Sequence, residues 1–238
     1  MGRIFEKRKD RMFARWAKTA KAFTKLGKEI AISVKLSGPD PDNNPRLRMA
    51  IQTARSLNMP KDRIEAAIKR ASSRDEAELN EINYEAYAPY GVAMLIETAT
   101  DNATRTIANV RNIITKHGGK MAVTGSLERT FNRMGVFKIA TPEGDLDDFE
   151  LEMIDHGLEE IFAADDGLLL YSSFKQFGDL QKALEARGVE VKSAAPQRMA
   201  NNFVPVTEEQ EAEIQKMIDR LEEDDDVQTV FTNMQTQE

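Results

Sequence analysis

The sequence predicts an α+β protein, an N-terminal three-helix bundle followed by two small α/β domains, and three observations lead there. The first is charge: residues 1–74 hold nineteen Lys or Arg against seven Asp or Glu, and residues 75–238 hold fourteen against thirty-three, so a module of +12 is joined to a body of −19. The second is period: apolar residues recur at helical spacing as far as Ala71, then in strand-length runs from Tyr84 onward. The third is the element order β-α-β-β-α-β across residues 134–198, the ferredoxin-like pattern, a superfold that by itself says little about function. A chain of 238 residues, 41% of them hydrophobic, can supply the two or three cores this requires.

Residues 3–15 carry Lys7, Arg8, Lys9 and Arg15 in a run too charged to bury much apolar surface alone, so a mobile arm that orders on a partner is expected. From Lys18 the pattern is helical. Phe23, Leu26, Ile30 and Val34 share one face, and Lys18, Lys21, Lys25, Lys28 and Lys35 cluster on roughly the opposite one. Solvated helix faces normally alternate sign, yet Glu29 is the only acid between residues 11 and 39, which favours a polyanion-binding surface over a merely solvated one. Reversing Lys21, Lys25 and Lys28 is therefore expected to weaken binding and leave folding intact. A membrane-surface helix fits less well, because Ala and Ser dilute the apolar side.

Asn44 caps a second helix that starts at Pro45, buries Leu47, Ile51 and Ala54, and carries Arg46 and Arg48. A third helix follows Asn58-Met59-Pro60, with Ile64, Ala67, Ile68 and Ala71 inward and Lys61, Arg63, Lys69 and Arg70 outward. Cations spread over all three helices suit a phosphate backbone.

In the acidic body, strands are expected at 84–87 and 92–97 around the turn Pro89-Tyr90-Gly91, then a helix over 102–117 capped by Asp101 and ended by Gly118-Gly119, then a strand over 125–131. Residues 102–127 contain no acid but do contain Arg105, Arg111, Lys116 and Lys120, a second basic surface. The ferredoxin-like unit is read as strand 136–140, helix 146–155, strands 160–164 and 168–172, helix 177–187 and strand 189–192. Eleven acids and no Lys or Arg fall in residues 139–174, so this unit should face away from nucleic acid. A helix over 208–223 and a strand over 227–231 close the chain, separated by Asp224-Asp225-Asp226, whose spacing lacks the alternation and glycine of a calcium loop.

No cysteine is present, so disulfides and thiolate zinc sites are excluded, and the apolar runs are too short for a membrane helix. The two imidazoles, His117 and His156, lie beside no nucleophile motif, and no phosphate-loop, dinucleotide or His-Glu-x-x-His string occurs. The expectation is a cytoplasmic, non-enzymatic protein with no cofactor, no metal site and no small-molecule substrate.

Several strings resemble the YebC family: Phe23-Thr-Lys-Leu26 with Lys28-Glu-Ile30, Asn44-Pro-Arg-Leu-Arg48, Asn58-Met-Pro-Lys-Asp62, Thr100-Asp-Asn102 with Arg105-Thr106, Gly125-Ser-Leu127, and Asp224-Asp-Asp-Val-Gln228. Departures are Gly2-Arg-Ile-Phe-Glu6 in place of the usual Gly-His-Ser-Lys-Trp opening, and Ala88-Pro-Tyr-Gly91 where Gly-Pro-Gly-Gly is common. The resemblance implies three domains: residues 1–75, a middle domain of 76–132 completed by 200–238, and a ferredoxin-like domain of 133–199 inserted in it. It also implies one of two roles, a DNA-binding regulator of transcription or a ribosome-associated translational activator that assists difficult nascent sequences. Duplex DNA and ribosomal RNA offer the same phosphates to the candidate cations. A smaller rival is an adaptor that docks a basic protein on the acidic domain.

Overall fold

The computed structural model describes residues 2–73, 78–164 and 166–236, with side chains from Thr19 onward. Three helices come first: α1 (Gly2–Ser37), α2 (Pro45–Ser56) and α3 (Lys61–Ala71). Next are β1 (Asn80–Tyr87), β2 (Ala93–Thr100), α4 (Ala103–Lys116) and β3 (Lys120–Met121). The unit β4 (Phe131–Ile139), α5 (Leu146–Ile154), β5 (Leu158–Ala164), β6 (Gly167–Ser173), α6 (Phe177–Ala186) and β7 (Val191–Ala200) follows. The chain closes with β8 (Val204–Val206), α7 (Glu208–Glu222), β9 (Val227–Thr232) and β10 (Met234–Thr236).

α1 begins at Gly2 instead of near Lys18. The residues read as an arm contain no proline or glycine and are rich in Lys and Arg, which are good helix formers, so nothing stops the helix from extending through them. In the bundle, Ile30, Val34, Leu47, Ile51, Ala54 and Ile64 are buried together. Asn44 caps α2 by accepting from the Leu47 N–H, while its amide donates to the carbonyls of Ser33 and Gly38, so one buried side chain fixes the α1–α2 turn.

The middle sheet has the order β3-β1-β2-β9, so the chain returns after β7 to pair β9 antiparallel with β2. One face packs on α4 and α7 through Met94, Ile96, Val110, Ile114, Ile214 and Leu221, and Ala93, Leu95, Leu127 and Phe131 fill the other. Burial on both faces fits the apolar run Ala93–Ile96 with which β2 opens. The inserted unit forms an antiparallel sheet in the order β5-β6-β4-β7, with α5 and α6 over a core of Phe137, Phe149, Leu170, Phe177 and Leu184. Met49 of α2 joins that core, which seats the bundle on the inserted unit. No helix among the described residues is long and apolar enough to cross a membrane.

Three local expectations are corrected. Asn102, not Asp101, caps α4, accepting from the Arg105 N–H, while Asp101 instead pairs with Arg105. β7 runs to Ala200, well past Lys192; Pro196 is tolerated because β7 is an edge strand paired only with β4. Residues 124–130 are turns, not a strand. The buried Glu85 carboxylate on β1 organises them by accepting from Gly125 N, Leu127 N and Ser126 Oγ at 2.8, 2.7 and 3.1 Å. Glu85→Ala should lower unfolding stability by about 2–3 kcal/mol, because those donors lose their acceptor in a buried place. Glu85→Gln keeps one acceptor oxygen and should lose less; urea unfolding of the two variants measures the difference.

Candidate nucleic-acid interface

The cations proposed from sequence fall into two classes once their partners are seen. The first class is turned inward, around the turn between α7 and β9. Asp224 accepts from the Asp226 N–H at 2.9 Å, which folds the turn and aims the Asp226 carboxylate into the protein, where its side chain is 7% exposed. Asp226 Oδ1 accepts from Lys28 Nζ at 2.7 Å. Its Oδ2 accepts from Arg105 Nη2, Thr106 Oγ1 and Thr100 Oγ1 at 2.7, 2.9 and 3.2 Å. Burial alone would raise this carboxyl's pKa, but the hydrogen bonds from Lys28, Arg105 and Thr106 outweigh it and hold the group at about 2, below the ordinary 3.8.

Lys28 spends its other two donors on the carbonyls of Ala99 and Asp225, at 2.9 and 2.8 Å. One turn earlier, Lys25 donates to the Gln228 carbonyl at 3.2 Å, and before it Lys21 donates to that of Glu223 at 3.3 Å. Burial lowers the Lys25 pKa, and the nearby Glu222 and Asp225 counter that only in part. Lys21, Lys25 and Lys28 of the row that sequence assigns to an open binding face are thus laid along the α7–β9 segment, while Lys35 donates to the Ser73 carbonyl at 3.0 Å. Helical periodicity shows that these residues share a face; the covering segment lies some 200 positions away, beyond the reach of any local pattern.

Arg46 is held in the same manner by two carboxylates, with Nε to Glu29 at 2.7 Å and Nη2 to Glu81 at 2.5 Å. Burial would lower its pKa, and the hydrogen bonds it donates to Glu81 and Glu29 reverse that and raise it. Arg48 donates to the carbonyls of Pro41 and Asp42 and stands 3.8 Å from Glu185 of α6. Of the second basic surface, Arg105 is paired with Asp226 and Asp101 while its own side chain stays about half exposed, at 47%. Its neighbour Asn109 donates to Asp224, tying α4 to the same turn.

The second class faces outward. On α3, Lys69 and Arg70 are exposed in the last turn, Lys61 makes only a loose 3.5 Å pair with Glu65, and Arg63 lies 6.0 Å from the Phe23 ring centre. On α4, Arg111 and Lys116 are exposed. Among the described residues, Lys69, Arg70, Arg111 and Lys116 have no ion-pair partner, nor does Arg55, an exposed α2 residue absent from the sequence-derived set. Helical period gave no signal for it, since Arg55 follows Ile51 by four residues and so lies on the flank of the buried stripe. The side chains of Lys7, Arg8, Lys9, Arg15 and Lys18 lie outside the described ones.

Asp226→Asn should destabilise the protein by about 3 kcal/mol, since it removes the charge that Lys28 and Arg105 share in a largely buried setting. Lys28→Glu should destabilise in the same direction, contrary to the neutral effect on folding expected from sequence. Because the folded carboxyl titrates below its ordinary value, its contribution is present above about pH 4 and fades as the pH falls toward 2. The drop in urea midpoint between pH 5 and pH 3 should accordingly be smaller in Asp226→Asn than in the parent.

Comparison with known proteins agrees with this architecture. The family model described as "TACO1/YebC protein N-terminal domain" matches residues 3–74, and "TACO1/YebC second and third domain" matches residues 79–234. A "Probable transcriptional regulatory protein" of Anaeromyxobacter dehalogenans is 54% identical, covering 98% of this chain and all of the relative. One of the same description from Porphyromonas gingivalis is 49% identical over 100% of this chain and 99% of its own. The crystal structure of a conserved hypothetical protein from Aquifex aeolicus superposes with a TM-score of 0.80 at 34% identity, covering 92% of this chain and 91% of that one. With nearly its whole length accounted for in this way, the chain belongs to the TACO1/YebC family.

Proposed function

We propose that this protein regulates gene expression in the cytoplasm without catalysis, by gripping a nucleic-acid backbone through the outward cations of α2, α3 and α4. The observation that carries the reading is that Arg55, Lys69, Arg70, Arg111 and Lys116 are exposed, with no acidic partner among the described residues, in a chain whose net charge is −7. Unpaired cations maintained against such a balance attract phosphate, and each phosphate neutralised releases counterions. The names of the relatives, probable transcriptional regulatory proteins, point the same way. The acidic inserted unit, repelled by phosphate, orients the molecule on its target.

Structured RNA of the ribosome is the second reading, and the composition of α3 suits it as well. That helix has no Asn or Gln to read adenine, and its exposed Lys and Arg, though able to reach guanine edges, are equally suited to holding a backbone of either kind. Labelled protein allowed to partition at physiological salt between purified ribosomes and excess mixed-sequence duplex DNA separates the two. Retention on ribosomes supports translation; transfer to DNA supports transcription; binding to neither overturns the proposal.

The combined variant Lys69→Glu, Arg70→Glu and Arg111→Glu should bind nucleic acid at least tenfold more weakly while melting at the parent's temperature. On duplex DNA, the slope of log K against log salt should shrink by roughly 0.9 for each phosphate that the variant no longer neutralises.

A further inference from the structure

Among the described residues two non-glycines have left-handed backbone, Asn58 with φ 58° and Tyr90 with φ 64°. Asparagine is at home there, just past α2, whereas a bulky aromatic is an outlier. The cores gain nothing from Tyr90, whose side chain is half exposed. Its hydroxyl donates to Glu213 of α7 at 2.6 Å, which anchors the ring's far end. Backbone strain maintained at an exposed position points to a use.

Beside that ring is a surface pocket of ≈ 440 Å³, walled by Tyr87, Pro89, Tyr90, Gly118 and Lys120 among others. Its walls are fixed by close approach: a Cβ on Gly119 would lie 2.7 Å from the Tyr87 carbonyl oxygen, so the turn after α4 is pressed against the β1–β2 hairpin. Lys120 Nζ lies 5.8 Å from the Tyr87 ring centre. Lys116 ends the adjoining helix, and all of residues 102–127 are free of acids. Two tyrosines, a proline and a lysine in one recess combine an aromatic stacking surface with a phosphate-seeking charge.

We infer that this pocket takes an unpaired nucleobase of a single-stranded nucleic acid, stacked against Tyr90, with Lys120 reaching the adjoining phosphate. The inference rests on the nucleic-acid reading above and adds to it the state of the strand, since a base held in a duplex offers no free face for stacking.

The test titrates the full chain with a labelled single strand of about twelve nucleotides and, separately, with the same sequence as a duplex. Glycine relieves the backbone at this position, so Tyr90→Gly should melt at or above the parent's temperature yet bind the single strand about tenfold more weakly, with duplex binding unchanged. Tyr90→Phe keeps the ring and should stay within roughly twofold of the parent. A Tyr90→Gly protein that holds the single strand as tightly as the parent overturns the inference. So does adenosine monophosphate binding as tightly as the strand, which would make the ligand a free nucleotide. In either case duplex or strand binding by the parent leaves the broader reading standing, whereas a parent that binds neither removes both.

Discussion

Asp226 is the constraint on which the rest of the arrangement depends. One carboxylate with its side chain 7% exposed accepts from Lys28 on α1, Thr100 at the end of β2, and Arg105 and Thr106 in the first turn of α4. Its own backbone carbonyl accepts from Ala99, so the turn is stitched to β2 by main chain as well. A buried charge is tolerable only when its lone pairs are satisfied, and here two cations and two hydroxyls do so together. The consequence is geometric: the N-terminal bundle, the middle sheet and the C-terminal segment meet at one point, and α4 is set in place by its N-terminus.

That arrangement divides the basic residues by role. Lys21, Lys25 and Lys28 complete the fold by satisfying carbonyls and a carboxylate at the α7–β9 turn, and Arg46 bridges Glu29 and Glu81 between the bundle and β1. Lys69, Arg70, Arg111 and Lys116 are left to the surface. An acidic C-terminal segment covering a lysine row also removes much of the repulsion that a +12 module would otherwise carry, so the segregation of charge along the chain is largely neutralised in space where the two meet.

The fold was legible in the sequence wherever the signal was local. Pro45 after Asn44, the glycine pair after α4 and the β-α-β-β-α-β order each follow from one stretch of chain, and the structure has them. Glu85 was illegible, because the three donors it collects lie about 40 residues downstream and resemble a strand by composition. The candidate site was half legible for the same reason. Outward positions on α3 and α4 follow from helical period alone, while the lysines of α1 share a face just as plainly and yet are covered by a segment no periodicity can reveal. Charge along the chain identified where cations are dense; only tertiary structure distinguishes a cation that binds from one that holds.

Lysine acylation footprinting, with and without nucleic acid, tests that division most directly. The account predicts that Lys21, Lys25 and Lys28 react slowly in the free protein and change little on binding, while Lys69 and Lys116 react fast when free and become protected in the complex. Fast reaction at Lys21, Lys25 and Lys28 in the free protein, with protection appearing there only when nucleic acid is added, would contradict it.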